Sequence, residues 1–213
     1  MEQLEKYYQL LIEWNKKINL TTITDKRAVY LKHFYDSLTL NLVCDLNKIH
    51  NLCDIGSGAG FPGIVIKIFF PTIDMILVDS LNKRTKFLNT VITTLDLKKI
   101  KVVNERAEDF ALNHRELFDV VVARAVVNLN ILAELCIPLT KVRGIFIAMK
   151  GINNEQIERS KNGIKKLGGQ IIDIKEFLLP IENSNRRLIK ITKKTKTSPK
   201  YPRKFHEIKR NPL

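Results

Sequence analysis

Cysteine is scarce in this chain of 213 residues, and its placement excludes two kinds of chemistry. Cys44, Cys53 and Cys136 show no CxxC and no Cys/His spacing, so neither a zinc cluster nor a redox pair is indicated and no metal is expected. Buried free thiols in a reducing compartment are the simple account. Long apolar runs are missing too. The stretch from Ile64 is interrupted by Lys67 and stops before Pro71, well short of the roughly 20 residues that span a bilayer. The start, Met1-Glu-Gln-Leu-Glu5, has no positive region followed by an apolar core, so no secretory signal is read and a cytoplasmic location is expected. Acidic side chains are the minority: 22 Asp+Glu stand against 36 Lys+Arg, for a formal charge of +14. The excess is uneven. From Arg186 to Leu213 eleven Lys/Arg meet one acid, Glu207, so that window carries +10 and everything before it only +4. A basic C-terminal segment favours a polyanion such as nucleic acid; a solubilising tail is the alternative.

What glycine there is, nine residues in all, is concentrated in one place. Leu52-Cys-Asp-Ile-Gly-Ser-Gly-Ala-Gly-Phe-Pro-Gly63 runs from an apolar strand-like segment into a glycine cluster and on into Ile64, Val65, Ile66, Ile68 and Phe69. The pattern is strand, tight turn, helix N-terminus. Gly56, Gly58 and Gly60 allow positive φ and close approach of a ligand, Pro62 suits a first helical turn, and the N–H groups there are expected to face outward. Two guests suit such a turn. Gly58 to Gly63 satisfies the dinucleotide fingerprint G-x-G-x-x-G. S-adenosylmethionine (SAM) sites show Asp-x-Gly-x-Gly-x-Gly, which Asp54 to Gly60 matches. Asp54 favours SAM: a carboxylate there crowds a pyrophosphate but suits the ammonium of a methionyl group. The dinucleotide register also fails, because counting from Gly56 puts the third glycine at Phe61. A glycine turn without a ligand is the structural alternative.

Before this turn, Leu4, Tyr7, Tyr8, Leu11, Ile12 and Ile18 recur at helical spacing, with Trp14 nearby. Thr24 or Asp25 can cap a second helix through Val29, Tyr30, His33 and Phe34, and Asp36-Ser37 a third. After the turn, strands are expected at Asp74–Asp79, Ile100–Val103, Phe118–Ala125 and Gly144–Met149, with helices at Lys83–Leu95, Leu129–Leu135 and Gln156–Leu167. Gln170–Phe177 and Arg187–Thr192 suit an antiparallel edge. From Thr195 on, no packed element is evident. The expected architecture is α/β, a doubly wound, mostly parallel sheet of the Rossmann-like type: a helical cap over 1–50, a ligand-binding domain over 51–193 and a basic tail over 194–213.

Candidate functional residues follow from this order. Asp79 lies nineteen residues past Gly60 at a strand tip, where a carboxylate accepts ribose hydroxyls; it can also cap the next helix. Ala107 and Glu108 follow the third strand and suit an adenine edge. Arg124 emerges at the end of the fourth strand, where a lone arginine is seldom needed for packing. His33 and Asp36 share a helix face, either as an acid/base pair near substrate or, preferred, as a hydrogen-bonded pair fixing the cap to the sheet. Lys83, Arg84, Arg187, Arg203, Lys204, Lys209 and Arg210 are the candidate contacts to a nucleic acid.

Trp14-Asn15, Asn19-Leu-Thr21, His33-x-x-Asp36-Ser-Leu38, the Asp54–Gly63 turn, Asp79-Ser80 with Lys83-Arg84, Ala107-Glu108, Arg124-Ala125 and Lys150-Gly151 together resemble one family over nearly the whole chain. It is the bacterial small-subunit ribosomal RNA guanine-N7 methyltransferase family, RsmG, also called glucose-inhibited division protein B. The resemblance implies a class I SAM-dependent methyltransferase acting on the decoding-region loop of 16S ribosomal RNA, alone or in the small ribosomal subunit, with no membrane partner and a monomer expected. It also implies cofactor contacts at Gly56, Phe61, Ala107, Glu108 and Arg124. Pro199-x-Tyr-Pro-Arg-Lys204 keeps the family's Tyr-Pro-Arg element, while His206 and Ile208 stand where glycine and proline are usual. Guanine N7 carries a lone pair and no proton, so its methylation needs no general base, only alignment. A cationic arginine at N7 would oppose the positive charge that develops there. Arg124 is therefore assigned to positioning guanine O6, an RNA phosphate or the cofactor carboxylate. Three rivals remain: an NAD-dependent oxidoreductase, a non-catalytic RNA-binding or assembly factor with a SAM-type fold, and a SAM enzyme acting on protein or a small molecule.

Overall fold

Alternation of side chains along the strands sets two faces, and the helices are sorted between them. In β1 (Asn51–Ile55) Leu52 belongs to one buried cluster while Cys53 and Ile55 belong to the other. The same split recurs in β4 (Phe118–Ala123), with Val120 and Val122 against Val121 and Ala123. Strands buried on both faces suit a parallel sheet covered by helices. Among the described residues the sheet has seven strands in the order β3-β2-β1-β4-β5-β7-β6, adding β2 (Asp74–Val78), β3 (Ile100–Val103), β5 (Thr140–Met149), β6 (Gly169–Leu178) and β7 (Asn185–Lys193). β1 to β5 pair in parallel; β7 pairs antiparallel with both β5 and β6. The strand order reverses between β1 and β4, and ligands of such sheets bind outside the strand ends at that point.

This computed structural model describes residues 2–124, 128–149 and 154–213; Ala125, Lys150 and Gly151 lie outside them. On the first face sit α1 (Glu2–Ile18), α2 (Lys26–Val29), α4 (Gly63–Phe69) and α5 (Asn82–Thr94), with Tyr7, Leu11, Val29, Ile64, Phe87 and Val91 in one core. The second face carries α6 (Ala107–Asn113), α7 (Leu129–Cys136), α8 (Asn154–Lys166) and α9 (Phe205–Arg210). Cys44 lies in the first core, and Cys53 and Cys136 lie in the second, all three free thiols and buried. No helix among the described residues is long and apolar enough to cross a membrane.

Three expectations need correcting. Asp25 caps α2, accepting the Ala28 N–H at 2.8 Å, but Asp36-Ser37 starts no new helix. A π turn, Tyr30–Tyr35, carries the helical path straight into α3 (Asp36–Leu38), and the Asp36 N–H bonds back to the Leu31 and His33 carbonyls. Helix α6 was not expected, since its seven residues show little periodicity. The tail beyond Thr195 is packed, not loose. Tyr201 and Ile208 are buried, the Arg115 guanidinium donates to the carbonyls of Thr197, Ser198 and Tyr201, and the Thr197 hydroxyl donates to the Leu167 carbonyl at 2.6 Å.

Candidate functional site

The glycine turn closes on itself. Gly56 and Ser57 donate their N–H groups to the Val78 carbonyl, Gly60 and Phe61 to Ser57, and Ile64 to Gly60. Two carboxylates take further N–H groups: Asp79 Oδ2 accepts from Gly58 at 2.9 Å and Asp54 Oδ2 from Gly63 at 3.0 Å. These donors do not face outward as expected. The turn thereby loses the free N–H groups that bind a pyrophosphate, which argues against the dinucleotide reading on physical grounds. Pro62 stands at the N-cap, one residue before α4 begins.

The four glycines divide into two kinds. At Gly60 an added Cβ would meet Ile64 at 2.6 Å and the Tyr7 hydroxyl at 2.7 Å; at Gly63 it would meet Leu77 at 2.3 Å and Asp54 at 2.7 Å. Those two serve close packing. At Gly56, with φ +72°, an added Cβ meets nothing within 4 Å, and at Gly58 only the Gly56 carbonyl at 3.8 Å. Tyr7, fully buried on α1, donates to the Ala59 carbonyl at 2.5 Å, so the helical cap holds the turn from behind. Burial, with the Asp54 charge adding, holds the Tyr7 phenol protonated well above its usual range.

Beyond the strand tips lies a cavity of about 340 Å³. It brings together Gly56, Asp79, Ala107 and Glu108, which lie up to 52 residues apart in the chain, with Arg84 on its rim. Apolar lining comes from Ile55, Val78, Leu132, Leu135 and Phe205. Asp79 is buried, and its Oδ1 accepts the Leu81 N–H at 2.9 Å, so both oxygens already hold backbone. Each keeps lone-pair capacity for a hydroxyl. Asp54, Gly58, Phe61 and Arg124 lie outside this lining. A larger hollow of about 620 Å³, with Lys161, Lys165 and Lys194, sits beside Gly169, which pairs with Lys193 at the end of β7 remote from the β5 tip.

The second half of the site is a polar cluster between the cap and β4. Arg124 Nη2 donates to the Lys32 carbonyl at 2.6 Å and to Asp36 Oδ2 at 3.0 Å, and lies 3.3 Å from His33 Nδ1. Arg186 Nε reaches the same Asp36 oxygen at 3.2 Å. His33 and Asp36 are thus joined through Arg124, and the arginine that was expected to be free of packing fastens the cap to the sheet. A donor-only guanidinium beside Nδ1 makes that nitrogen the acceptor, so the neutral ring donates from Nε2 to Thr21 Oγ1 at 2.9 Å. Burial, then the nearby Arg124 charge, lowers the His33 pKa to about 3. Phe61 is 7% exposed; its ring stacks on His33 at 4.4 Å and lies under Arg124 at 5.9 Å. Two buried atoms here have no hydrogen-bond partner among the described residues: Asp54 Oδ1 and Arg124 Nη1. Burial raises the Asp54 pKa to about 7 despite the Gly63 N–H, and burial also lowers that of Arg124. Arg186 and Tyr7 were missed because nothing in their local sequence marks them.

The sequence model of the family described as rRNA small subunit methyltransferase G matches residues 1–188. The chain belongs to this family. It is 49% identical to the ribosomal RNA small subunit methyltransferase G of Bacillus licheniformis, over 100% of this chain and 90% of that protein. It is 50% identical to the one of Halalkalibacterium halodurans, over 100% and 91%. Among solved structures, M. jannaschii TYW2 in complex with AdoMet superposes with a TM-score of 0.61 at 15% identity, over 81% of this chain and 79% of that one. A 16S rRNA (adenine(1408)-N(1))-methyltransferase from Catenulisporales acidiphilia gives 0.59 at 12%, over 70% and 87%. At such identities these two speak for the fold alone, the class I methyltransferase sheet.

In this methyltransferase G family member the basic candidates divide sharply. Lys83, Lys204, Lys209 and Arg210 are exposed. Arg84 Nη1 lies 3.6 Å from Asp79 Oδ2, at the cavity. Arg187 pairs with Glu176 and its side chain is 15% exposed. Arg203 is an anchor: Nε and Nη2 grip both oxygens of Glu134, which is fully buried, at 2.8 and 2.6 Å. The cofactor that family and fold imply is SAM, and the site fits it on its own atoms. Gly56 leaves room for a close guest, and a buried carboxyl and a buried guanidinium each keep one polar atom without a partner among the described residues. The turn itself offers no cluster of donors to a phosphate.

Proposed function

We propose that this protein transfers the methyl group of SAM to N7 of a guanine in the decoding-region loop of 16S ribosomal RNA. The observation that carries the reading is the pair Asp54 Oδ1 and Arg124 Nη1, buried and without a hydrogen-bond partner among the described residues, at the ends of the same strands that lead into the cavity of Gly56, Asp79 and Glu108. A zwitterionic amino-acid end complements the first two, and a nucleoside complements the cavity. Asp54, Arg124 and the turn at Gly58 would hold the methionyl end. Gly56, Asp79, Ala107 and Glu108 would hold the nucleoside, and Phe61 braces His33 and Arg124. The donor supplies an electrophilic methyl on a sulfonium; the chain supplies alignment.

His33 and Asp36 are poorly equipped to remove a proton, and Asp54 is assigned to the methionyl ammonium. His33 is a weak base at pKa about 3 with both nitrogens engaged, and the Asp36 carboxylate is held by Arg124 and Arg186. A nucleophile that carries no proton, such as guanine N7, suits that equipment. N7 lies on an edge that A-form RNA hides in its deep groove, so a loop or splayed base is the fitting substrate.

The test is transfer of radiolabelled methyl to small ribosomal subunits and to free 16S RNA, with mapping of the modified base. Label at guanine N7 in the decoding-region loop is expected; RNA binding without transfer would favour the assembly-factor reading. Replacing Lys204, Lys209 and Arg210 with alanine should flatten the slope of log affinity against log salt by about 2, since each single-strand phosphate contact contributes roughly 0.7. An unaltered slope would remove the tail from the RNA interface.

Cofactor affinity should also depend on pH. Below about 7 Asp54 is protonated in the free protein. An ammonium beside Oδ1 favours the carboxylate, so binding releases a proton and tightens as pH rises. The spent donor, S-adenosylhomocysteine, should bind about tenfold tighter at pH 8 than at pH 6, and Asp54→Asn should flatten that profile. Calorimetry in buffers of different ionisation enthalpy counts the proton; none released would mean that Asp54 does not meet the ammonium.

A further inference from the structure

Phe205 stands in the C-terminal segment, 97 residues past Glu108, yet it lines the same cavity. Its position is fixed by strong anchors. Two residues before it, Arg203 grips the buried Glu134 of α7 through its guanidinium, and its backbone N–H donates to Glu134 Oε1 at 3.0 Å. Helix α7 also supplies Leu132 and Leu135 to the cavity wall. Three residues later, Ile208 is fully buried, and four residues earlier Tyr201 is 7% exposed. Phe205 itself is only half-buried. A ring that merely sealed the core would be sunk like its two neighbours, whereas this one packs against the second core, stays part-exposed and lines the cavity. An aromatic face, two leucines and the polar edge at Ala107 and Glu108 make up a lining suited to a flat heteroaromatic base.

We propose that Phe205 is a cofactor-binding residue that packs against the adenine of the methyl donor, so that the docked tail completes the nucleoside site. The proposal rests on the reading of this cavity as the nucleoside pocket. Base–aromatic contact is worth enough that its loss weakens binding about tenfold or more. Because the contact is made at the base, the loss should be the same for any ligand that carries the nucleoside.

Calorimetry on the full chain compares wild type, Phe205→Ala, Phe205→Tyr and Gly56→Trp, each with S-adenosylhomocysteine and with 5′-methylthioadenosine, alongside thermal unfolding of the free proteins. Phe205→Ala is expected to raise both dissociation constants about tenfold and by the same factor, while Phe205→Tyr stays near wild type. A lowered unfolding temperature with both constants unchanged would overturn the proposal and make Phe205 a packing residue. So would a loss confined to S-adenosylhomocysteine, which would place the effect at the amino-acid end. If Gly56→Trp also left both constants unchanged, the cavity would not be the nucleoside pocket at all, a failure separable from that of Phe205 alone.

Discussion

Gly56→Trp should leave a folded protein that no longer binds S-adenosylhomocysteine and no longer transfers methyl groups. At φ +72° a non-glycine residue is strained, at about 1–2 kcal/mol, a fraction of the 5–15 kcal/mol that holds an ordinary domain together. No atom within 4 Å opposes the first carbon of the new side chain, so the indole projects into the space that the cofactor would take. Blocking close backbone approach should cost at least about a hundredfold in affinity, read by calorimetry. Gly60→Ala is the informative contrast. Its methyl meets Ile64 and Tyr7 well inside contact distance, so it should lower the unfolding temperature instead. Unchanged affinity in Gly56→Trp would dismiss the strand-end crevice as the cofactor site.

Arg203→Ala should destabilise the protein by about 3–5 kcal/mol, because it strands a carboxylate that has no exposure to water. For a chain of this size that corresponds to an unfolding temperature lower by roughly 10 °C. Lysine at 203 should recover only part, since a single ammonium does not reproduce the two-point grip on Glu134. Replacing the pair together, Glu134→Leu with Arg203→Met, should recover most of the loss, because no buried charge is then left alone. Cofactor affinity is expected to fall with the single change, as Phe205 is held by the same anchor. Full stability with weakened RNA binding would make Arg203 an RNA contact and not an anchor.

These two residues show what was legible and what was not. The turn from Asp54 to Gly63 could be read because its information is local: an apolar strand, glycines at fixed intervals and a helix behind them. Strand alternation was legible for the same reason, including the antiparallel pair β6 and β7. Roles that depend on a remote partner were not. Arg203 and Glu134 are 69 residues apart, and Arg187 meets Glu176 only because a hairpin brings them level. Charge alone marked both as candidate RNA contacts and gave no sign of either ion pair. Asp36 looked like a helix cap because Asp-Ser is a common start signal; its carboxylate is instead taken by Arg124 and Arg186, from two strand ends.

The tail carried a signal that its composition obscured. Tyr201, Phe205 and Ile208 are spaced four and three apart, a helical interval, but prolines and lysines between them suggested disorder. The outward-facing N–H groups failed for a different reason. The turn was read by analogy with phosphate-binding loops, whereas Asp54 and Asp79 absorb its donors from within. Where a carboxylate ends each of two adjacent strands, the turn between them is made for a cation-bearing guest and not an anion.

The three sulfhydryls, scattered as they are, give the molecule a built-in stopwatch. Cys44 reports on the layer beneath the N-terminal helices, while Cys53 and Cys136 report on the opposite one. Burial raises the Cys44 pKa to about 11 and lifts the other two well above the usual thiol range, so none reacts until its surroundings open. Timed alkylation read by mass spectrometry would therefore date the opening of each layer separately, and a bound methyl donor would slow whichever layer it clamps.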